Sequence, residues 1–228
     1  MLKDFTEYLD ELIPNPACEL NYHKDYELLM AVMLSAQTTD KRVNEVTAVL
    51  FQKYPTLEAL KDADLSDLMK IIRPIGTFQK KSANVKEIAR RLLEDQGGKV
   101  PQDRAYLETL PGVGRKTTNV VLGELFHEQC IAVDTHVERV SKRLKLAAEK
   151  DDVFTVEKKL TKKLKGYDLW KMHHQILLFG RYYCKSQNPQ CEHCKMQAYC
   201  RYYKKNQKKK VTSYDVNPIL VTSNKKDF

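Results

Sequence analysis

The chain has 228 residues, 42% of them hydrophobic and 30% charged, with a formal net charge of +9. That is long enough for one large domain or two small ones around a real core, and no stretch reaches the roughly 18 consecutive apolar residues of a membrane span. The charge is uneven: residues 201–228 hold eight Lys and Arg against two Asp, which hints at a polyanionic partner, with a solvated basic tail as the alternative on charge alone.

The opening MLKDFTEYLDELIP carries acids early and lacks a signal-peptide apolar core, so it reads as the first helix of the mature protein. The expected location is cytosolic, or with DNA wherever the cell keeps it. Tyr26 to Gln37 is apolar nearly all round, the pattern of a central buried helix. Asp40 to Phe51 places Val43, Val46, Thr47 and Leu50 on one face, with Asp40 as N-cap. Short helices are predicted at Leu57–Lys61 and Leu65–Ile72, the second broken by Arg73-Pro74 and Gly76. Phe78 to Leu93 reads as a longer amphipathic helix ended by Gly97-Gly98. Further helices are predicted at Asp103–Thr109, Arg115–Leu125, Thr135–Leu146, Val153–Leu164 and Leu169–Arg181. No strand pattern and no repeat stands out. The fold class is all-α, and from Lys204 the lysine-rich composition predicts partial disorder.

Three stretches carry chemistry. In Leu107-Glu-Thr-Leu-Pro-Gly-Val-Gly-Arg-Lys-Thr-Thr118 a short helix runs into a tight turn, and a new helix opens at Arg115. Gly112 and Gly114 let backbone approach a ligand closely, and the N–H groups opening the new helix suit a phosphate oxygen. A P-loop is excluded, because Arg115 separates Gly114 from Lys116 and no strand precedes. A plain helix–helix turn explains the glycines equally well. Lys116 is the distinguishing feature: a cation in a first helical turn opposes the macrodipole, and that placement favours the neutral amine a nucleophile needs.

In Ile131-Ala-Val-Asp-Thr-His-Val-Glu-Arg-Val140 a short apolar run delivers Asp134 to a helix start. It can cap that helix, alone or with Thr135 and Glu138 as a capping box, or face a reactive lysine across a cleft. Third, Cys184, Cys191, Cys194 and Cys200 fall in a Cys-x6-Cys-x2-Cys-x5-Cys array, while Cys18 and Cys130 stand alone. In a reducing compartment so dense a cluster reads as a metal site rather than disulfides, and the spacing alone leaves zinc and a [4Fe–4S] cluster both open.

Together, LPGVGRKT, AVDTH and the cysteine array resemble the endonuclease III family of helix-hairpin-helix DNA glycosylases, in the family's order and spacing, over about residues 20 to 203. LLMAVMLSAQTTD, VPQDRAYLETL and HHQILLFGRYYC resemble it as well. The resemblance implies that Lys116 is the nucleophilic lysine and Asp134 the catalytic aspartate. It also implies that Gly112 and Gly114 grip a DNA phosphate, with Val113 and Arg115 in the same hairpin, and that Gln37 fills the gap left by a flipped nucleotide. The four cysteines would ligate a [4Fe–4S] cluster. One position departs: the family commonly has leucine after Ile-Gly in a loop that wedges into DNA, whereas this chain reads Ile75-Gly76-Thr77-Phe78, leaving Thr77 a weaker wedge and Phe78 a candidate core residue.

The implied architecture is two helical lobes flanking a DNA-binding cleft, with Lys116 on one lobe and Asp134 on the other. A six-helix barrel with the hairpin takes residues 18–128, a cluster-bearing lobe takes 1–17 and 129–207, and 208–228 form a flexible basic tail. Lys185, Lys195 and Arg201 near the cysteines are candidate phosphate contacts. The implied activity is removal of oxidised pyrimidines and β-elimination at the abasic site. The expected partner is double-stranded DNA with a damaged base or abasic site, met by a monomer with no membrane partner. The alternatives are a mispair adenine glycosylase-like enzyme, against which Lys116 and the short chain argue, and a non-catalytic DNA-binding module with a four-cysteine zinc site.

Overall fold

The computed structural model describes residues 1–214, with side chains described through Gln207. Among the described residues all regular structure is helical: α1 (Leu2–Leu12), α2 (Asp25–Leu34), α3 (Asp40–Lys53), α4 (Leu57–Asp62), α5 (Leu65–Ile72), α6 (Phe78–Gln96), α7 (Arg104–Leu107), α8 (Arg115–Phe126), α9 (Thr135–Arg143), α10 (Val153–Lys163), α11 (Leu169–Leu178), a π turn (Phe179–Tyr183) and α12 (Arg201–Tyr214). No helix among them is long and apolar enough to cross a membrane.

Two separate apolar cores organise these helices. The first is built around α2, whose residues from Tyr26 to Leu34 are all buried, with α3, α6 and α8 packed against it. It gathers residues from Leu20 to Leu122, and Phe78 lies half-buried against it. The second joins Phe5, Tyr8 and Leu9 of α1 to side chains between Ile131 and Cys200. Burying each large aliphatic side chain contributes about 1.5–3 kcal/mol, so truncating a fully buried one such as Leu28 or Ile176 would cost ~2–5 kcal/mol.

Local chemistry sets the helix limits. The Thr56, Asp64, Asp103, Asp152 and Asp168 side chains accept backbone N–H groups at the starts of α4, α5, α7, α10 and α11, each cap worth about 1 kcal/mol. α6 stops where Gly97 turns left-handed and the Gly98 N–H returns to the Leu92 carbonyl at 2.8 Å.

Three details differ from the sequence-based expectation. α2 ends at Leu34 rather than Gln37, because the Ser35 hydroxyl donates to the Val32 carbonyl at 2.8 Å and the chain tightens. Thr39, not Asp40, caps α3, leaving the Asp40 carboxylate free for another partner. α11 gives way to the π turn at Phe179, where the Arg139 guanidinium donates to the Gly180 carbonyl at 2.6 Å. α12 carries the backbone from Arg201 to Tyr214, with Tyr202 and Tyr203 at its start packed against the second core. The last part of the expected tail, residues 215–228, lies outside the described residues.

Candidate active site and nucleic-acid interface

α8 opens the site. Gly114, in extended conformation (φ −107°), is its N-cap, and no side chain caps the first-turn N–H groups. The two hairpin glycines serve different ends. Gly112 has φ +79°, and a Cβ there would meet Asn84 Nδ2 at 2.5 Å and Met33 Cγ at 3.1 Å. A Cβ on Gly114 would meet nothing within 4 Å. The fold itself therefore requires glycine at Gly112, while the space around Gly114 is open. Val113 is buried in the first core. Arg115 is exposed and held by Glu157: its Nη2 pairs with Glu157 Oε1 at 2.6 Å, its Nε with Oε2 at 2.9 Å, and its guanidinium lies 4.8 Å from the Phe154 ring centroid. That bidentate pair ties α8 of the first core to α10 of the second, and Glu157 holds the Arg115 pKa above its ordinary value.

Lys116 follows on the exposed face of the first turn of α8. Asp134 sits at the start of α9, where Oδ1 alone accepts the His136 and Val137 N–H groups at 2.9 and 2.8 Å. Asp134 is thus the cap of α9, with no Thr135–Glu138 box; Glu138 pairs instead with Lys142 at 2.5 Å. Oδ1 takes both donors, and Oδ2 accepts no hydrogen bond among the described residues. Lys116, Asp134 and Gln37 line one groove of about 1270 Å³. Lys116 and Asp134 also line a smaller cavity of about 70 Å³ beneath it, with His173 and Cys18. Thr77, Gly112, Val113, Gly114 and Arg115 are not among the groove's lining residues.

Gln37 and Thr77 share an unusual backbone. Both are exposed, and both are left-handed, with φ of 58° and 57°. For a β-branched residue such as Thr77 that region is a true outlier, and such strain gathers at functional loops.

Sequence reasoning missed several groove residues. Arg181, on the π turn, pairs with Asp40 at 2.6 Å and with Glu19, and all three line the groove. Burial opposes the Arg181 charge, but Asp40 and Glu19 outweigh it and hold its pKa up. Behind Lys116, burial works to raise the Glu124 carboxyl, yet hydrogen bonds from His174 Nε2 (3.1 Å) and Trp170 Nε1 (2.8 Å) hold it below the ordinary value. The fully buried His173 is pushed down to about 3 by desolvation, then by His174 and Lys116, and its Nδ1 has no hydrogen-bond partner among the described residues. The polar HH pair within the apolar HHQILLF stretch is the one signal that pointed here.

At the far side of the second core, Cys184, Cys191, Cys194 and Cys200 line a common cavity of about 110 Å³. Among the described residues no three Cys, His, Asp or Glu converge as around a single ion. Arg143 donates to Cys184 Sγ at 3.3 Å and lies 3.9 Å from the Tyr202 ring centroid. Burial pushes the Cys184 thiol up, against that hydrogen bond. Of the nearby cations, the exposed Lys195 pairs with Glu11 at 2.5 Å, Arg201 approaches Glu149 at 3.6 Å, and Lys185 is exposed.

Residues 30–166 match the HhH-GPD superfamily base excision DNA repair protein family. Endonuclease III of Bacillus subtilis (strain 168) is 46% identical over 201 residues, 88% of this chain and 92% of that protein. The chain belongs to the endonuclease III family. The enzyme is likewise 43% identical to endonuclease III of Escherichia coli (strain K12) over 197 residues, 86% of this chain and 93% of that one. Among solved structures it resembles a trapped endonuclease III–DNA covalent intermediate (TM-score 0.83, 44% identity, 88% of this chain and 94% of that one). It also resembles a non-covalent endonuclease III–DNA complex (TM-score 0.86, 43% identity, 91% and 97%). It is a DNA glycosylase and abasic-site lyase of base excision repair.

Proposed function

We propose that this enzyme removes oxidised pyrimidines from duplex DNA and cleaves the abasic site through a Schiff base on Lys116, with Asp134 as its charge-stabilising partner. The observation that carries this assignment is that Lys116 and Asp134 come from two helix starts on separate cores and line one groove. The domain division follows the two cores: residues 18–128, and residues 1–17 with 129–207. DNA lies across the groove, with the open backbone at Gly114 and the N–H groups of α8 on a phosphate, and with Gln37 and Thr77 at the extruded position.

Base extrusion comes first, because C1′ is unreachable inside the stack. The neutral Lys116 amine attacks C1′ and forms the C–N bond, while the base leaves with the electron pair of the broken glycosidic bond and takes up a proton. The Asp134 carboxylate stabilises positive charge developing on the sugar. Ring opening yields the protonated Schiff base, which acidifies the C2′ hydrogen. Loss of that proton expels the 3′ phosphate and breaks the strand 3′ to the lesion; hydrolysis returns the free amine.

The same reading assigns a [4Fe–4S] cluster to Cys184, Cys191, Cys194 and Cys200. The four cysteines line one cavity of about 110 Å³, and four thiolates in one short segment are a donor set such a cluster takes. When bound, it would supply cross-linking free energy to a segment with few apolar side chains of its own. The test is a duplex carrying one oxidised pyrimidine: free base and a strand break with a 3′ β-elimination end are expected, and base release without any break would overturn the lyase assignment.

A further inference from the structure

α6 contributes one buried cation that neither the core nor the chemistry above uses. Lys81 is 5% exposed. Its Nζ donates to the Leu34 carbonyl at 2.9 Å and to the Ala36 carbonyl at 2.7 Å, residues 47 and 45 positions away in sequence. Those two carbonyls close α2 and begin the turn that presents Gln37. At the other end, the Lys81 backbone N–H donates to the Thr77 carbonyl at 3.1 Å. The Lys81 side chain thus ties the turn at Gln37 to the first turn of α6, the helix that Thr77 opens as N-cap.

Core stability does not explain a lysine here. Burial disfavours its charge and lowers its pKa, with carbonyl dipoles and a helix C-terminus as compensation. A methionine of similar length would fill the space without desolvating a charge. What a methionine cannot do is donate to two carbonyls that would otherwise seek water.

We propose that Lys81 is a positioning residue for base extrusion: its ammonium locks the turn at Gln37 to the first turn of α6, so that Gln37 and Thr77 enter the duplex as one rigid unit. This rests on the reading that both residues occupy the extruded position. Extruding a stacked, paired base requires both tips at once. An abasic site has no base to unstack, so extrusion there is cheap and tolerates a looser pair of tips.

The test compares base release from an oxidised-pyrimidine duplex with strand cleavage of the same duplex carrying an abasic site. In Lys81→Met the first rate should fall roughly tenfold more than the second, and Lys81→Arg, which keeps a charged donor, should restore most of the difference. Amide exchange at Thr38, whose N–H donates to the Ser35 carbonyl at 3.0 Å, reads the turn without any substrate and should accelerate in Lys81→Met. Equal losses on both duplexes, no loss, or unchanged Thr38 exchange would overturn the coupling. Gln37→Ala separates the two ideas: if it lowers base release selectively while Lys81→Met does not, the tip assignment stands and the lock fails. If Gln37→Ala shows no selective loss, the tip assignment fails, and the lock through it.

Discussion

Substituting alanine at the two hairpin glycines tests whether Gly112 serves the fold and Gly114 the ligand. At Gly112 the new Cβ must accept φ +79° and lie 2.5 Å from Asn84 Nδ2 and 3.1 Å from Met33 Cγ. The backbone term costs about 1 kcal/mol and the crowding another ~1 kcal/mol, toward the low end because both neighbours are side-chain atoms. A loss of about 2 kcal/mol corresponds to a Tm lower by roughly 4–8 °C for a chain of this size. At Gly114 the backbone is extended and no atom lies within 4 Å of the added methyl. Alanine is a poorer N-cap by some tenths of a kcal/mol but loses less chain entropy on folding, so the net change should stay within about 0.5 kcal/mol. The methyl instead fills the space in which a phosphate would meet the backbone, and affinity for an abasic-analogue duplex should fall about tenfold. Thermal melting and fluorescence anisotropy on both variants give the four numbers. A wild-type Tm in Gly112→Ala, or wild-type affinity in Gly114→Ala, would refute this division of labour.

Arg115→Met removes the partner of Glu157, whose side chain is 11% exposed, and should destabilise the protein by about 1–2 kcal/mol in denaturant melts, with the half-exposed Arg115 limiting the figure. His173 binds a proton in the unfolded chain below about pH 6.5 but not in the folded one until about pH 3. Its contribution is therefore complete above pH 6.5 and lost as pH falls toward 3, at up to ~1.4 kcal/mol per pH unit; His173→Gln should flatten unfolding free energy against pH in that window by as much as one proton. Cys184→Ser, or serine at Cys191, Cys194 or Cys200, should yield protein without visible absorption and of lower solubility, and unchanged colour would remove that residue from the ligand set.

Much of this was legible because the informative residues are local. Asp134 and Lys116 each lie at a helix start flagged by its own neighbours, and the glycine pair and the cysteine array are readable as short motifs. What escaped depends on residues far apart in the chain. Asp40 looks like a helix cap, but Thr39 caps α3 and the Asp40 carboxylate pairs with Arg181, 141 positions later. Arg181 itself sits where periodicity predicts one unbroken helix, whereas that end is a π turn whose Gly180 carbonyl accepts from the distant Arg139 guanidinium. Lys81 reads as one more lysine on an amphipathic helix, since nothing local reveals that its ammonium is buried. The end of α2 was overextended because its apolar run continues in pattern while Ser35 has already closed it.

The most direct test of the central assignment is borohydride trapping on abasic-site DNA, run beside melting temperature. Lys116→Gln should fold normally, glutamine being another good helix former, and give no covalent adduct, because an amide cannot form a Schiff base. Asp134→Asn retains an Oδ1 able to accept the His136 and Val137 N–H groups, so its Tm should hold within about 1–2 °C, while adduct forms roughly 10²–10³-fold more slowly for want of the carboxylate charge. If Asp134 were only a cap, Asp134→Asn would trap at the wild-type rate; an adduct at that rate in Lys116→Gln would contradict the assignment of the nucleophile outright.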